Sequence, residues 1–441
     1  MSTRLDLVVY GATGFTGQLV CQYLRRHAPS GLRWAIAGRD AAKLDRVATA
    51  CDSASGVNNG IGTPPTEVIS GCSSDGSAAS RICGDLRPRV VLSTAGPFVH
   101  HSDALVGACA RSGVSYVDIN GEIPWVARVI ERDDQVARGS GALIVPNCGF
   151  DSVPSDLGCL RATQNLAKKT GSPCVSLQTV MHMVGVMSGG TIETGLEMER
   201  LFPGELRDPF RLGGASQLSR GPNDLVDQDP TEPRYDATLR RWVAPFGMAR
   251  INSRVVRRSA CELNAYANID PTKLRYREEQ LAPTGAAAAA KMAKNAAIPP
   301  EKLRQLRDAG RLPKPGDGPS KERRQASSFT ALCVAQAANG TRGVCAISGG
   351  DPGYDETAKM VAEAALTIAL TDRASLPAAE RGGGGVLTAA AALGERYAAR
   401  LVAAGLCFED DVDLSGALPG SPDADAEAEA LKAEMASKDA W

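Results

Sequence analysis

Three glycines spaced three residues apart lie where an apolar run meets a helical pattern near the N-terminus. The stretch reads VVYGATGFTGQLV over residues 8–20. The LDLVV run before Gly11 is short and rich in apolar residues, which is typical of a buried parallel strand, and GQLVCQYLRR after it has apolar positions at helical spacing. This feature constrains the fold more than any other, because a strand-glycine-helix unit predicts the start of a parallel α/β sheet.

Each glycine of this turn has a separate expected task. Without a Cβ, Gly11 can turn tightly, Gly14 can let a pyrophosphate approach the backbone, and Gly17 can let the helix pack close to the strand. The N–H groups and the positive dipole end of the helix would face the phosphates. The spacing is GxxGxxG rather than the commoner GxGxxG, and an ordinary glycine turn is the alternative. We predict a dinucleotide site with cofactor contacts at Gly11, Thr13, Gly14, Phe15, Thr16 and Gly17.

The end of the predicted second strand, LRWAIAG at residues 32–38, indicates which nicotinamide cofactor is bound. A site for NAD would place an acidic residue there for the ribose hydroxyls, whereas this chain has Gly38 followed by Arg39, with Lys43 one turn later. A guanidinium attracts a 2′-phosphate. We therefore predict that NADP(H) is preferred over NAD(H), the alternative for Arg39 being a solvated charge at a helix start.

Strand and helix patterns alternate six times through the first part of the chain, which predicts an α/β protein with an N-terminal Rossmann domain, a doubly wound parallel sheet. Later runs alternate over short lengths and predict an antiparallel sheet, with residues 253–269 as one of its strands. The predicted domains are 1–158, which binds the cofactor, and 159–408, which binds substrate. A flexible insertion or an exposed helix is expected near 282–326 and a disordered acidic tail at 409–441.

Composition excludes several classes of protein. The 49 Lys and Arg balance the 50 Asp and Glu, so no nucleic-acid surface is expected. The 12 cysteines have no CxxC or zinc-like spacing, which predicts free thiols in a reducing compartment and no metal site. No run approaches the roughly 18 to 20 apolar residues of a membrane span. We expect a soluble, intracellular protein, most simply cytoplasmic, with organelle or lipid-surface association left open.

Nine short motifs are spread in order along most of the chain. They are GATGFTG (11–17), AGR (37–39), STAGPF (93–98), YVDINGE (116–122), GFDSVPSDLG (149–158), SGGT (188–191), RVVRRS (254–259), DPGY (351–354) and GGGVLTAAAALG (383–394). Together they resemble the saccharopine dehydrogenase-like oxidoreductases, a family that also contains the trans-acting enoyl reductases of bacterial lipid synthesis.

The resemblance implies a Rossmann domain and a mixed α/β second domain that binds substrate and often pairs subunits, so a homodimer is expected, with late helices returning to the first domain. It also implies NADP(H)-dependent reduction of a C=C or C=O/C=N bond in a lipid-like or acyl substrate. A lysine-pathway role is disfavoured, because the site loop GFDSVPSD differs from that of true saccharopine-forming enzymes. The alternative is a protein that binds NADP(H) only as a redox sensor or scaffold. A short-chain reductase is also disfavoured, since Tyr116 has no lysine four residues later.

Small and acidic residues at the ends of the predicted strands are the candidates for chemistry. Ala95, Gly96 and Pro97 follow the fourth strand, where the nicotinamide half of the cofactor should pass. A proton could come from Asp118, Glu122 or Cys148. Alternatives remain: Asp118 could cap a turn, and buried cysteines are usually inert.

The second domain supplies the expected substrate contacts. Gly190 and Thr191 could offer backbone N–H groups to a carboxylate or thioester carbonyl, or merely end a strand. Arg257 and Arg258 would attract an acidic headgroup or a CoA or carrier phosphate, but at most one of them should face the site if they lie in a strand. The alternative is that they belong to the outward, charged face of that strand. Asp151 and Asp156 are read as caps of a following helix.

Overall fold

Two seven-stranded sheets organise the protein. The computed structural model describes residues 4–53, 67–71, 76–185, 189–213, 227–283, 285–296, 299–310, 318–414 and 416–418. The strands are β1 (Leu7–Tyr10), β2 (Trp34–Gly38), β3 (Glu67–Ser70), β4 (Val90–Ser93), β5 (Ser115–Asp118), β6 (Leu143–Val145), β7 (Cys174–Val184), β8 (Arg234–Asp236), β9 (Arg241–Pro245), β10 (Arg275–Leu281), β11 (Ser328–Ala337), β12 (Arg342–Gly349), β13 (Gly385–Val386) and β14 (Cys407–Asp410).

The helices lie between and around the two sheets. They are α1 (Phe15–His27), α2 (Ala41–Ser53), α3 (Ser77–Ala79), α4 (Phe98–His101), α5 (Asp103–Ser112), α6 (Ile123–Ser140), α7 (Val153–Lys169), α8 (Gly189–Leu201), α9 (Ala249–Arg257), α10 (Ala286–Ala296), α11 (Pro300–Asp308), α12 (Lys321–Gln325), α13 (Asp355–Leu370), α14 (Pro377–Glu380), α15 (Ala389–Ala392) and α16 (Gly394–Ala403). Short π-helical segments follow α3 and α9 at Ser80–Leu86 and Arg258–Glu262, and single 3₁₀ turns occur at Glu205–Arg207 and Arg373–Ser375.

The first sheet is parallel throughout and has the order β13-β6-β5-β4-β1-β2-β3. Both of its faces are covered. Leu7 and Val9 face a core shared with α1 and α13, whereas Val8 and Tyr10 face α5 and α6. The strand order reverses between β1 and β4, and ligands of doubly wound sheets bind at the carboxyl ends of the strands beside such a reversal. The predicted α/β Rossmann architecture is confirmed.

The second sheet is mixed, with the order β14-β12-β11-β7-β10-β9-β8. β10 runs parallel to β7, and the other pairings are antiparallel. The prediction of an antiparallel sheet is therefore wrong at one pairing, because a crossover through α8, β8, β9 and α9 returns the chain in the direction of β7. Helix α7 lies against β11 and β12, so the chain joins the second sheet within a few residues of leaving β6.

The chain returns to the first sheet late. Helix α13 packs against α1, β4 and β5, where the Tyr23 hydroxyl donates to Glu363 Oε1 at 2.6 Å. The two residues of β13 then pair in parallel with β6 and add a seventh strand that the sequence patterns did not predict. A run of two residues, Gly385 and Val386, is too short for a periodic signal.

Residues 253–269 are not a strand, which corrects the prediction. They contain the end of α9 and the π-helical segment that follows it. The alternative of an outward-facing charged strand for Arg257 and Arg258 is also wrong, because both side chains, like that of Arg254, are buried among acidic and carbonyl groups.

Two predicted irregular regions contain ordered elements. Within the described residues, 282–326 includes α10, α11 and α12, and Ala289 of α10 packs against Trp242. The predicted tail begins instead with the end of β14, and Leu418 is buried against the second sheet. Two of its acidic groups are paired within the described residues: Asp410 binds Arg161 at 2.8 Å and Asp411 binds Lys169 at 2.6 Å. Residues 419–441 lie outside the described residues.

No helix among the described residues is both long and apolar enough to cross a membrane. The cysteines found within these residues are all free thiols.

Candidate functional site

The glycine turn joins β1 to α1 at the point where the strand order reverses. Gly11 has φ +86°, and a Cβ there would lie 2.9 Å from the Ala95 nitrogen and the Thr94 hydroxyl. A Cβ on Gly17 would overlap the Gly11 carbonyl oxygen. Both positions therefore require glycine for reasons internal to the protein, one for its backbone conformation and one for helix packing.

Gly14 has a different reason to be glycine. Its φ of −72° suits any residue, and the nearest heavy atom to a Cβ there would be the Gly11 carbonyl oxygen at 3.4 Å. The side of the turn that a Cβ would fill is therefore open. Among the described residues no side chain caps α1, and its first turn carries no acidic residue. Uncapped N–H groups beside an open glycine fit the pyrophosphate of a dinucleotide.

The loop after β4 closes the other side of this turn. The Thr94 hydroxyl donates to the Gly11 carbonyl oxygen at 3.1 Å. The predicted nicotinamide contacts follow it, with Gly96 exposed and Ala95 and Pro97 half-buried. Thr94 was part of the STAGPF motif but was not predicted as a site residue, since a hydroxyl that holds a neighbouring loop has no distinctive sequence pattern.

The predicted 2′-phosphate contacts lie at the end of β2. Arg39 is exposed directly after Gly38, and Lys43 is exposed in the first turn of α2. Asp40 lies between them, but its Oδ1 accepts a hydrogen bond from the Lys43 N–H at 2.9 Å and so caps the helix. A cleft of about 670 Å³ opens between α1 and α2, lined by Thr13, Gln18, Gln22, Arg25, Arg26, Lys43, Arg46, Val47, Ala50 and Cys51. Its lining contains four basic residues and no acidic one.

Phe15 is packed by the second half of the chain. Its ring meets Tyr354 edge to face with 4.8 Å between centroids, and the Arg324 guanidinium lies 5.5 Å from its centroid. Arg324 also donates to Asp355 Oδ1 at 2.9 Å. The first turn of α1 is thus supported by α12 and by the start of α13, and a cofactor contact through the Phe15 ring remains a prediction.

Asp118 holds together the loops after β5 and β6. Its Oδ1 accepts hydrogen bonds from the Asn120 side chain at 2.5 Å and from the Asn120 and Asn147 N–H groups at 3.1 Å each. Burial raises the pKa of Asp118 to about 6, against these donors. Within the described residues its Oδ2 has no hydrogen-bond partner. The turn-capping alternative accounts for one oxygen, and a proton role for the other remains a prediction.

The side chain of Glu122 binds the loop after β4. Its two carboxylate oxygens accept hydrogen bonds from the N–H groups of Phe98 and Val99, each at 2.8 Å. Burial raises its pKa to about 7 despite these donors. Because both oxygens are occupied at the start of α4, Glu122 positions the STAGPF loop, and its predicted proton role would require release of that loop.

Cys148 lies in the hydrophobic core rather than at a surface. Its side chain is fully buried, and the thiol lies 3.3 Å from the Val145 carbonyl oxygen. Burial raises the pKa of the thiol well above its usual value, so it stays protonated and weakly acidic. This placement argues against Cys148 as a proton donor.

Asp151 is a carboxylic acid for which the sequence predicts helix capping rather than a chemical role. It lies in the loop between β6 and α7 and is half-buried. Ser152, not Asp151, occupies the N-cap position of α7, so the capping prediction is wrong for Asp151. Asp156 accepts from the Ser259 and Tyr266 hydroxyls at 2.5 and 2.7 Å and from the Ala390 N–H at 2.8 Å, which makes it a link between α7 and α15.

The predicted substrate residues are separated in the structure. Gly190 and Thr191 lie in the first turn of α8. Arg257 binds Asp227 Oδ2 at 3.0 Å, and Arg258 donates to the carbonyl oxygens of Leu212 and Val386 at 3.0 and 2.9 Å. Both guanidiniums are buried in structural contacts, which argues against their binding a substrate. Within the described residues no cluster of potential metal ligands occurs.

Comparisons with known proteins identify the family to which the chain belongs. Residues 7–145 match the family described as Saccharopine dehydrogenase NADP binding domain. A Mycobacterium tuberculosis (strain ATCC 25618 / H37Rv) protein whose name includes "trans-acting enoyl reductase" is 32% identical over 436 residues, which cover 92% of this chain and 97% of that protein. The trans-acting enoyl reductase of Mycobacterium leprae (strain TN) is 30% identical over 433 residues, 91% of this chain and 97% of that enzyme.

A solved apo saccharopine dehydrogenase (L-Glu forming) from Saccharomyces cerevisiae is similar with a TM-score of 0.47 and 11% identity, over 92% of this chain and 99% of that one. The family match places a nicotinamide-dinucleotide domain on β1 to β6, where the open glycine and the uncapped helix lie. The relatives extend the likeness over both sheets. The chain is an oxidoreductase and belongs to the saccharopine dehydrogenase-like family that includes the trans-acting enoyl reductases.

Proposed function

We propose that this protein is an NADP(H)-dependent reductase that saturates the C=C bond of an acyl thioester. The observation that carries the proposal is the open space beside Gly14. A Cβ at this position would fill the side of the turn that faces the start of α1, which no described side chain caps. The names of the relatives supply the reaction class, since they are called enoyl reductases.

The preference for NADP(H) rests on charge. The end of β2 carries Arg39 in place of an acidic residue, and the cleft beside Lys43 adds Arg46. Cationic side chains at this position attract the 2′-phosphate of NADPH, which NADH lacks. A contact of this kind contributes about 1.5 to 3 kcal/mol, or roughly tenfold to a hundredfold in affinity.

The protein's own contribution to the reaction is placement. A bound NADPH would supply a hydride at its nicotinamide. The loop at Ala95, Gly96 and Pro97 would flank that ring, and Glu122 fixes the loop through the N–H groups of Phe98 and Val99. Small residues at this point leave room for a ring and an acyl chain to meet face to face. We further propose that the second domain binds the substrate and that the protein forms a homodimer.

The first experiment is a fluorescence titration of the purified protein with NADPH and NADH, followed by addition of a panel of enoyl-CoA and acyl-CoA substrates while the absorbance of the reduced nicotinamide is followed. We expect tighter binding of NADPH and its oxidation by one class of enoyl thioester. Selective binding without turnover on any acceptor would favour the alternative, an NADP(H)-binding sensor or scaffold. Absence of binding would contradict both.

A substitution tests the charge argument. Arg39→Asp should weaken NADPH binding tenfold or more and leave NADH binding within about twofold. The control is Arg396→Asp, which changes an exposed arginine of α16 and should affect neither cofactor. Equal losses for the two cofactors with Arg39→Asp would show that Arg39 does not recognise the 2′-phosphate.

A further inference from the structure

Asp151 differs from the carboxylic acids around it in lacking any partner. No hydrogen bond or ion pair to its side chain occurs within the described residues, and burial alone raises its pKa to about 6. By contrast, Asp118 is held by Asn120 and Asn147, and Glu122 by Phe98 and Val99. The half-buried carboxyl of Asp151 is therefore left by the described part of the chain to solvent or to a bound ligand.

The position of Asp151 places it at the carboxyl edge of the first sheet. A Cβ on Gly121 would lie 3.6 Å from Asp151 Oδ2 and 3.2 Å from Ile251 Cδ1. The Asp151 carboxyl therefore lies beside Gly121, which is in the loop after β5 and directly precedes Glu122. Glu122 in turn holds the loop after β4. The nicotinamide half of a dinucleotide crosses this part of the edge in doubly wound sheets.

We propose that Asp151 is the proton donor of the reduction; this inference rests on the proposed function. The substrate β-carbon receives a hydride from the nicotinamide, and the C=C electron pair moves onto the α-carbon and the thioester oxygen. The α-carbon then takes the proton of the Asp151 carboxyl. The cofactor loses two electrons, the acyl chain gains one hydride and one proton, and the Asp151 carboxylate is reprotonated from solvent.

The surroundings of Asp151 allow it to titrate alone. The following titratable groups on the elements packed around its loop have partners or remain neutral, whereas Arg250 of α9 is exposed to solvent. Asp118 and Glu122 follow β5 and are bonded as described, Arg254 of α9 pairs with Asp229, and Glu356 of α13 pairs with Lys359 at 2.7 Å. Cys148 in the same loop stays protonated. Since the folded pKa is above the ordinary Asp value, the proton is present below about pH 6 and is lost above it.

The test compares Asp151→Asn with Asp151→Glu. Asp151→Asn should lower the turnover number for enoyl thioester reduction about a hundredfold or more, because general acids contribute about 10²- to 10⁴-fold. NADPH affinity should stay within twofold. Turnover of the wild type should fall as the pH rises through the pKa of the acid, and this limb should vanish in Asp151→Asn. Asp151→Glu should restore part of the turnover, and the exposed control Asp85→Asn should behave as wild type.

A second readout is independent of turnover. Infrared difference spectra of the protein without cofactor should contain a carboxyl band that titrates near pH 6 and is missing from Asp151→Asn. If none of the enoyl thioesters is reduced by NADPH in the presence of the wild type, the proposed function fails, and this inference fails with it. If the wild type turns over and Asp151→Asn keeps its rate and pH profile, this inference alone is overturned. Loss of NADPH binding in Asp151→Asn, or an unchanged infrared titration, would also overturn it.

Discussion

Glu122 Oε1 accepts a hydrogen bond from the Phe98 N–H at 2.8 Å, which ties the loop after β5 to the loop after β4 across two neighbouring strands. The second oxygen does the same for Val99. One carboxylate thus fixes the entry to α4, whose preceding residues are the predicted nicotinamide contacts.

Glu122→Gln should loosen that loop. A glutamine has one oxygen, so one buried N–H would lose its acceptor at a cost of about 1 to 3 kcal/mol. We expect a lower melting temperature and several-fold weaker NADPH binding, measured by thermal unfolding and fluorescence titration. Glu131→Gln is the control, because its side chain is 65% exposed. A variant with wild-type melting temperature and affinity would contradict this role for Glu122.

Two glycine substitutions should separate folding from cofactor binding. Gly17→Ala places a Cβ against the Gly11 carbonyl oxygen and should destabilise the protein strongly. Gly14→Val should leave the melting temperature nearly unchanged, because its surroundings are open, yet abolish NADPH binding. Unchanged NADPH affinity in folded Gly14→Val would remove the central argument for the site.

Arg257→Met should unfold the second sheet rather than impair substrate recognition. The guanidinium is 1% exposed and binds Asp227, so the substitution would remove a cation from beside a buried carboxylate. Breaking such a pair costs about 3 to 5 kcal/mol. The matched control is Arg250→Met in the same helix, where the side chain is exposed. Denaturant unfolding checks both variants, and a stable Arg257→Met with an altered KM would instead restore the predicted substrate role.

The free energy of unfolding should fall as the pH rises, because the buried carboxyl of Glu278 loses its proton. This buried carboxyl accepts from Asn252 and Tyr276 at 2.6 Å each, and burial raises its pKa to about 7 from an ordinary 4.5. The folded state therefore holds the proton more tightly, so stability is full below pH 4.5 and is lost as the pH passes 7. The shift corresponds to at most about 3 kcal/mol.

Glu278→Gln should remove this part of the pH dependence and raise the melting temperature at pH 8 relative to the wild type. The neighbouring Glu279→Gln is the control: its carboxylate pairs with Arg234 at 2.6 Å, so its loss should destabilise the protein at both pH values. Parallel melting curves for wild type and Glu278→Gln between pH 5 and 8 would contradict the assignment.

The first sheet and its glycine turn were predictable because their signals are local. A buried strand, a turn that only glycine can make and a helix stripe occupy consecutive residues, and the predicted separate tasks of Gly11 and Gly17 agree with their φ and packing. The family motifs extended this interpretation over both sheets. Among the later elements, β7, β11 and α13 also have clear periodicity in the sequence.

The features that the sequence could not supply depend on contacts between distant residues. Arg257 looks exposed until Asp227 is placed beside it, thirty residues away. Asp151 and Asp156 both precede or begin one helix, yet within the described residues only Asp156 has hydrogen-bond partners, which come from residues more than a hundred positions later. No local pattern distinguishes a carboxyl that is satisfied by the fold from one that is left free for chemistry.

The short strand β13 has a consequence for how the protein is made. The nucleotide-binding sheet gains its outer strand from Gly385 and Val386, and α13 covers β4 and β5 from residues 355–370. When residues 1–158 have left the ribosome, β6 therefore still lacks its neighbour β13, and the face of β4 and β5 that α13 covers is still exposed. Domains commonly fold in order of synthesis, but this one must wait for most of the chain. A truncated N-terminal fragment should accordingly be prone to aggregation, however complete its glycine motif.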